Sequence, residues 1–158
     1  MHGDFKPDNI LLTEDGRLQV ADPMGNGSLL TILFSENRGG TPGYMAPEVA
    51  AGGSISTESD VYSYGAALYQ LATGAVPRPG QPLAPSAEGF RIATDICEVI
   101  TLCSGRDANA RPTMQDVVRL LGGTSWAEIQ TERNRRSGVL AAAGVVLSLI
   151  FLGATLRR

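Results

Sequence analysis

His2-Gly3-Asp4-Phe5-Lys6-Pro7-Asp8-Asn9 places a carboxylate, an amine and a carboxamide close together in the chain, with Pro7 stiffening the backbone among them. Taken alone, a carboxylate two residues from a lysine describes a solvated ion pair. Lys6 is nevertheless the only lysine of the 158 residues, against twelve arginines, so chemistry that needs a second lysine has no residue to perform it. Immediately downstream, Ile10-Leu11-Leu12 and Arg17-Leu18-Gln19-Val20 are short apolar runs separated by Thr13-Glu14-Asp15-Gly16. Asp-Gly between such runs predicts a β-hairpin. From Pro23 to Pro47 no period holds, and a loop of that length inside a compact domain is functional or disordered.

Beyond the loop the pattern turns helical. Val61, Tyr64, Leu68 and Leu71 recur at helical spacing over 60–71, with Gly74 as a stop and Thr57/Asp60 at capping-box spacing. Residues 75–89 carry Pro77, Pro79, Pro82 and Pro85 and predict an irregular connector. Ile92, Ile96, Val99, Ile100 and Cys103 mark a second helix. Met114, Val117, Leu120 and Leu121 mark a third, opened by Pro112 and closed by Gly122-Gly123. On one helix Cys97 and Cys103 stand roughly 9 Å apart along the axis. That exceeds the ~7 Å Cα limit of a disulfide, so they are expected to stay free. No CxxC or Cys/His cluster suggests zinc or redox chemistry, and a reducing setting is the default.

Charge is unevenly distributed. Residues 1–131 hold 15 acidic and 8 basic side chains, a net −7, which argues against a nucleic-acid partner. Residues 132–158 hold one acid and five arginines, a net +4. Within that tail, GVLAAAGVVLSLIFLGATL at 138–156 is uncharged over 19 residues. As a helix it would span roughly 28 Å, near the ~30 Å hydrocarbon core of a bilayer. The expectation is a single membrane-spanning helix after a basic linker at 124–137, with the N-terminal side in the cytoplasm.

The motifs in the first part of the chain form an ordered series. His2 to Asn9 resembles the protein kinase catalytic loop H-R-D-L-K-P-x-N. Asp22, in Val20-Ala21-Asp22-Pro23-Met24-Gly25, stands where that family has D-F-G. Gly40-Thr41-Pro42-Gly43-Tyr44-Met45-Ala46-Pro47-Glu48 is similar to the close of its activation segment. Ser59-Asp60-Val61-Tyr62-Ser63-Tyr64-Gly65 resembles its D-V-W-S-x-G helix start, and Arg111-Pro112-Thr113 its late arginine-proline. The resemblance covers roughly residues 1–121. It implies a mainly α (α+β) fold at 1–123: a kinase-like large lobe with a short β-hairpin, the family's small lobe being absent and the chain beginning mid-domain.

The resemblance also implies roles. Asp4 would accept the proton of a substrate hydroxyl and orient it for in-line attack, and Lys6 would offset charge on the transferring phosphoryl group. Asn9 and Asp22 would hold Mg2+ against the phosphates of ATP. Thr41 would join Asp4 and Lys6 through its hydroxyl. Glu48 and Arg111 would form a buried ion pair, Asp60 would accept backbone N–H groups of the catalytic loop, and His2 would pack as support. The implied whole is a membrane-anchored serine/threonine kinase, single-pass, similar to bacterial transmembrane kinases and acting on protein Ser/Thr hydroxyls. The isolated chain is expected to be inactive. Two departures support an alternative, a pseudokinase or membrane-anchored scaffold: Gly3 replaces the arginine, and Pro23-Met24 replaces Phe-Gly.

Overall fold

The computed structural model describes residues 1–21, 41–85 and 89–137. The chain divides into two compact units, one of Met1–Leu121 and one from Gly122 onward. In the first unit the catalytic-loop stretch ends in a single 3-10 turn at Pro7–Asn9, whose first residue needs no N–H partner. Strands β1 (Ile10–Leu12) and β2 (Leu18–Val20) follow as an antiparallel pair, in the register Ile10 to Val20, Leu11 to Gln19 and Leu12 to Leu18. Gly16 closes the turn with φ +79, a conformation that costs glycine little. Leu11, Leu12, Leu18 and Val20 are all half or more exposed, so the hairpin presents apolar side chains outward.

Helix α1 (Pro47–Ala50) is one turn, started by a proline that pre-sets φ. Helix α2 (Thr57–Thr73) is the longest among the described residues, and its ends are well determined. Ser56 and Ser59 exchange side-chain and backbone hydrogen bonds in a capping box, and Gly74 closes the helix at φ 74. The expected Thr57/Asp60 box is replaced because the Asp60 carboxylate is turned away to other amides. The expected apolar stripe is also corrected. Leu71 is 64% exposed, while Gly65, Ala66 and Ala67 are buried. Small residues let neighbours close on α2 from several sides. A Cβ added to Gly65 would lie 2.7 Å from the Cβ of Cys103 in α3 (Thr94–Cys103), a distance real Cβ atoms do not adopt.

The core gathers around α2. Tyr44, Ala46 and Val49 reach it from the loop and α1, Leu83 from the connector and Ile100 from α3. Each such large side chain contributes about 1.5–3 kcal/mol by leaving water. Over 75–85 the connector is irregular, with a turn in which Gln81 N–H donates to Arg78 O at 3.2 Å and Gly80 takes φ 73. Helix α4 (Met114–Leu121) begins at a box in which Thr113 donates to Asp116 Oδ2 and Asp116 N–H donates to Thr113 Oγ1. Cys97 and Cys103 are free and buried.

In the second unit a helical stretch covers 126–137, opened by reciprocal bonds between Ser125 and Glu128. Arg133 lies over the Trp126 ring, and Arg136 pairs with Glu132 one turn away. The expected membrane-spanning helix, with the single-pass membrane localisation built on it, is corrected here. Among the described residues no helix is long and apolar enough to cross a membrane. Even α2 carries Glu58, Asp60 and Gln70 within its length. Residues 138–156, where the span was expected, lie outside the described residues.

Candidate active site

Asp4 lies on the stretch that precedes the hairpin, and its carboxylate is gripped from both sides. Thr41 donates to Oδ1 from its backbone N–H at 3.0 Å and from its hydroxyl at 3.1 Å. Lys6 Nζ lies 2.9 Å from Oδ2 and donates to Thr41 Oγ1 at 2.7 Å, closing a three-residue ring. Burial alone would push the Asp4 carboxyl up. The hydrogen bond and charge of Lys6, with both Thr41 donors, more than offset this and hold it below its ordinary 3.8. At neutral pH Asp4 is therefore an ionised acceptor.

The loop that carries Asp4 is itself pinned. Asp60, near the start of α2, accepts from His2 N–H at 2.7 Å through Oδ2 and from Gly3 N–H at 2.8 Å through Oδ1. An acid in the first turn of a helix is favourable there in any case. The His2 ring lies 2.9 Å by Nε2 from Ala21 O and stacks edge-on against Phe5, which packs on Tyr64 of α2. Asn9 is buried, and its Nδ2 donates to Asp4 O at 2.7 Å. That bond fixes the amide so that Oδ1, without a partner among the described residues, is left as an acceptor. Asp22 lies outside the described residues.

The expected Glu48–Arg111 pair is present in bidentate form. Arg111 donates by Nη1 to Glu48 Oε1 at 2.7 Å and by Nη2 to Oε2 at 2.8 Å. It also donates to Glu58 O and Gly105 O, each at 2.8 Å, and lies 5.1 Å from the centre of the Tyr62 ring. The Arg111 side chain is fully buried, and that of Glu48 is 31% exposed. Arg111 holds the Glu48 carboxyl below its ordinary value against the opposing pull of burial.

Three supports went unread in the sequence. Ser63 donates to Tyr44 O at 2.8 Å, tying the segment after Thr41 to α2. Tyr44 OH bonds Gln70 on the same helix. Gly43 packs so closely that an added Cβ would meet Pro77 O at 2.4 Å. Ser63, Tyr44 and Gly43 all fall inside motifs quoted above, but nothing in a linear pattern states which backbone each one approaches. Among the described residues no cluster of three or more His, Cys, Asp or Glu could hold a metal. A hard cation here would rest on Asn9 Oδ1 and on residues outside that set.

Comparison with known proteins agrees with this geometry. The protein kinase domain model matches residues 1–121. The receptor-like kinase TMK2 of Arabidopsis thaliana is 32% identical over 87% of this chain, which covers 19% of that protein. The MAP kinase kinase skh1/pek1 of Schizosaccharomyces pombe is 30% identical over 75% of this chain and is covered to 38%. A putative serine/threonine-protein kinase/receptor, R831, of Acanthamoeba polyphaga mimivirus is 31% identical over 77% of this chain. The chain thus spans well under half the length of these relatives, and none of the three supports a bacterial origin for the resemblance. The match of the family model across the whole first unit shows that this chain belongs to the protein kinase family.

Proposed function

We propose that this chain is the catalytic-loop portion of a kinase that moves a phosphoryl group from ATP to serine or threonine hydroxyls of proteins, with Asp4 orienting the attacking hydroxyl. The observation that carries this reading is the two-sided grip on Asp4. With Oδ1 held by two Thr41 donors and Oδ2 by Lys6, the carboxylate is fixed in orientation, and Oδ2 keeps one acceptor site for a substrate hydroxyl. A carboxylate held below its ordinary pKa is a weak base. It therefore acts first by aiming the hydroxyl and accepts the proton late, as the O–P bond forms and the bond to the leaving ADP breaks. Positioning of this kind can account for ~7–11 kcal/mol of a barrier. Lys6 is placed to share its charge with the transferring group, and lysine at this position marks the serine/threonine class by resemblance.

Mg2+ would neutralise charge on the phosphates. Asn9 fits that demand, since an amide oxygen suits a hard cation and its Oδ1 is unengaged among the described residues. Asp22 would supply the carboxylate. The exposed Leu11, Leu12, Leu18 and Val20 suit contact with an apolar surface such as a nucleobase or further protein.

The test is radiolabel transfer to a serine/threonine peptide by the full-length protein that carries this segment, as wild type and as Asp4→Asn. Loss of the carboxylate should lower transfer roughly 10²–10⁴-fold with the fold intact. Equal activity of the two removes Asp4 from the chemistry. A folded full-length protein that binds ATP with magnesium but transfers nothing would favour a binding role, the reading that Gly3 and Pro23-Met24 suggest.

A further inference from the structure

Apart from the Asp4 cluster, the first unit holds a cavity of about 580 Å³ between the segment after Thr41, the connector and the end of α3. That volume lies within the ~300–1,000 Å³ typical of small-molecule sites. Its floor is apolar, with Met45, Pro47 and Leu83 among the lining residues. Polar side chains also line it, Tyr62, Gln81 and Arg106 among them. Tyr62 is only 6% exposed, yet its hydroxyl has no hydrogen-bond partner among the described residues. Arg106, exposed just beyond α3, makes no ion pair among the described residues although the unit around it is acidic. No buried side-chain polar atom among the described residues lacks a partner, so the Tyr62 hydroxyl reaches solvent and, with the exposed Arg106 guanidinium, offers two donors to an occupant of the apolar hollow.

We propose that this cavity binds a small amphipathic carboxylate, with its apolar body on Met45, Pro47 and Leu83 and its carboxylate held by Arg106 and the Tyr62 hydroxyl. The donor set selects the head group. Two donors and no free carboxylate favour an anion over a cation, and the adjacent Glu48 is already taken up by Arg111. Burial pushes the Tyr62 phenol up, outweighing the pull of the nearby arginines, so the hydroxyl keeps its proton and remains a donor at neutral pH. A charge-assisted bond to each donor is stronger than a neutral one.

The probe is decanoate below its micelle concentration, compared with decan-1-ol and decylammonium by isothermal titration of the full chain. Decanoate should bind once per chain and saturably, about tenfold or more tighter than the alcohol. Decylammonium should be the weakest of the three. Arg106→Gln and Tyr62→Phe should each weaken decanoate about tenfold and leave decan-1-ol unchanged. Ala50→Trp, which fills the hollow from α1, should abolish binding of both. Melting curves establish that each variant is folded, and exposed Arg106 carries the test should Tyr62→Phe unfold. The proposal is overturned by non-saturable uptake, by equal affinity for decanoate and decylammonium, by decanoate binding indifferent to Arg106→Gln, or by binding that survives Ala50→Trp.

Discussion

Replacing Arg111 by alanine should unfold this domain far more readily than replacing Asp4. Arg111 has no exposed side-chain surface, and four of its hydrogen bonds, two to Glu48 and two to backbone carbonyls, vanish together with its packing on Tyr62. Removing one partner of a buried pair costs about 3–5 kcal/mol. Glu48 is about a third exposed and can partly rehydrate, which places Arg111→Ala toward the lower end. Glu48→Ala strands the buried guanidinium and belongs toward the upper end. At this domain size a melting temperature falls by a few degrees per kcal/mol, so drops on the order of 10–20 °C are expected. Asp4 and Lys6 each keep about a fifth of their side-chain surface in water, so unlike Arg111 neither is fully desolvated, and Asp4→Ala, which also frees the two Thr41 donors, should cost about 1–2 kcal/mol. Thermal melts followed by circular dichroism compare the three. The pH dependence supplies an internal check. Because the folded Glu48 carboxyl lies below its ordinary 4.5, the pair's contribution is fully present above that pH. It is lost as pH falls through the lowered value. Glu48→Gln should remove that part of the acid sensitivity. Comparable melting temperatures for Arg111→Ala and Asp4→Ala would refute the reasoning.

Gly65→Ala should destabilise by about 1–3 kcal/mol in urea titrations, because its new Cβ collides with that of Cys103. Cys103→Ala leaves the clash in place and should not rescue it, whereas Cys103→Gly should relieve it in part, the Ser104 backbone N still lying 3.3 Å from the added Cβ. Ser56→Ala removes one half of the α2 capping box and should cost about 0.5–2 kcal/mol, read from the same titrations; an unchanged midpoint would deny the cap any energetic role. Burial pushes the Cys103 thiol up to about 12, so it should resist a disulfide reagent at pH 8 in the folded chain and react promptly in guanidinium. Fast native labelling of Cys103 would show that the α2–α3 contact opens readily.

The parts legible in the sequence are those whose determinants are local. The hairpin announced itself through Asp15-Gly16 between two apolar runs, α4 begins and ends close to Pro112 and Gly122-Gly123, and α3 covers the periodic residues from Ile96 to Cys103 but not Ile92. Asp4, Lys6 and Thr41 could be named together because motif order carried the 37-residue separation that no periodicity carries. Glu48 and Arg111, 63 residues apart, were paired for the same reason. What failed was inference of burial from hydrophobicity. Leu71 lies outside and Gly65 inside because α2 is packed on several sides, so an apolar stripe does not describe its environment. The α2 cap was misplaced by one residue because Asp60 had a stronger claim elsewhere: holding the loop amides of His2 and Gly3. The cavity at Tyr62 was invisible, since it is made by four separate stretches whose proximity only folding creates.

Lys6 carries a practical consequence. It is the only side-chain amine of the 158 residues, and it stands 2.9 Å from the carboxylate assigned to the chemistry. Amine-directed reagents used to tether, biotinylate or cross-link this segment have one side chain to attack, and success there dismantles the ring of Asp4, Lys6 and Thr41. Immobilisation through Lys6, as opposed to the exposed Met1 α-amine, would thus select the impaired molecules for study. Turned around, the same scarcity gives a reporter without engineering. A tag on Lys6 needs no competing lysines removed, and its protection by an added ligand reads occupancy of this cleft at single-residue resolution.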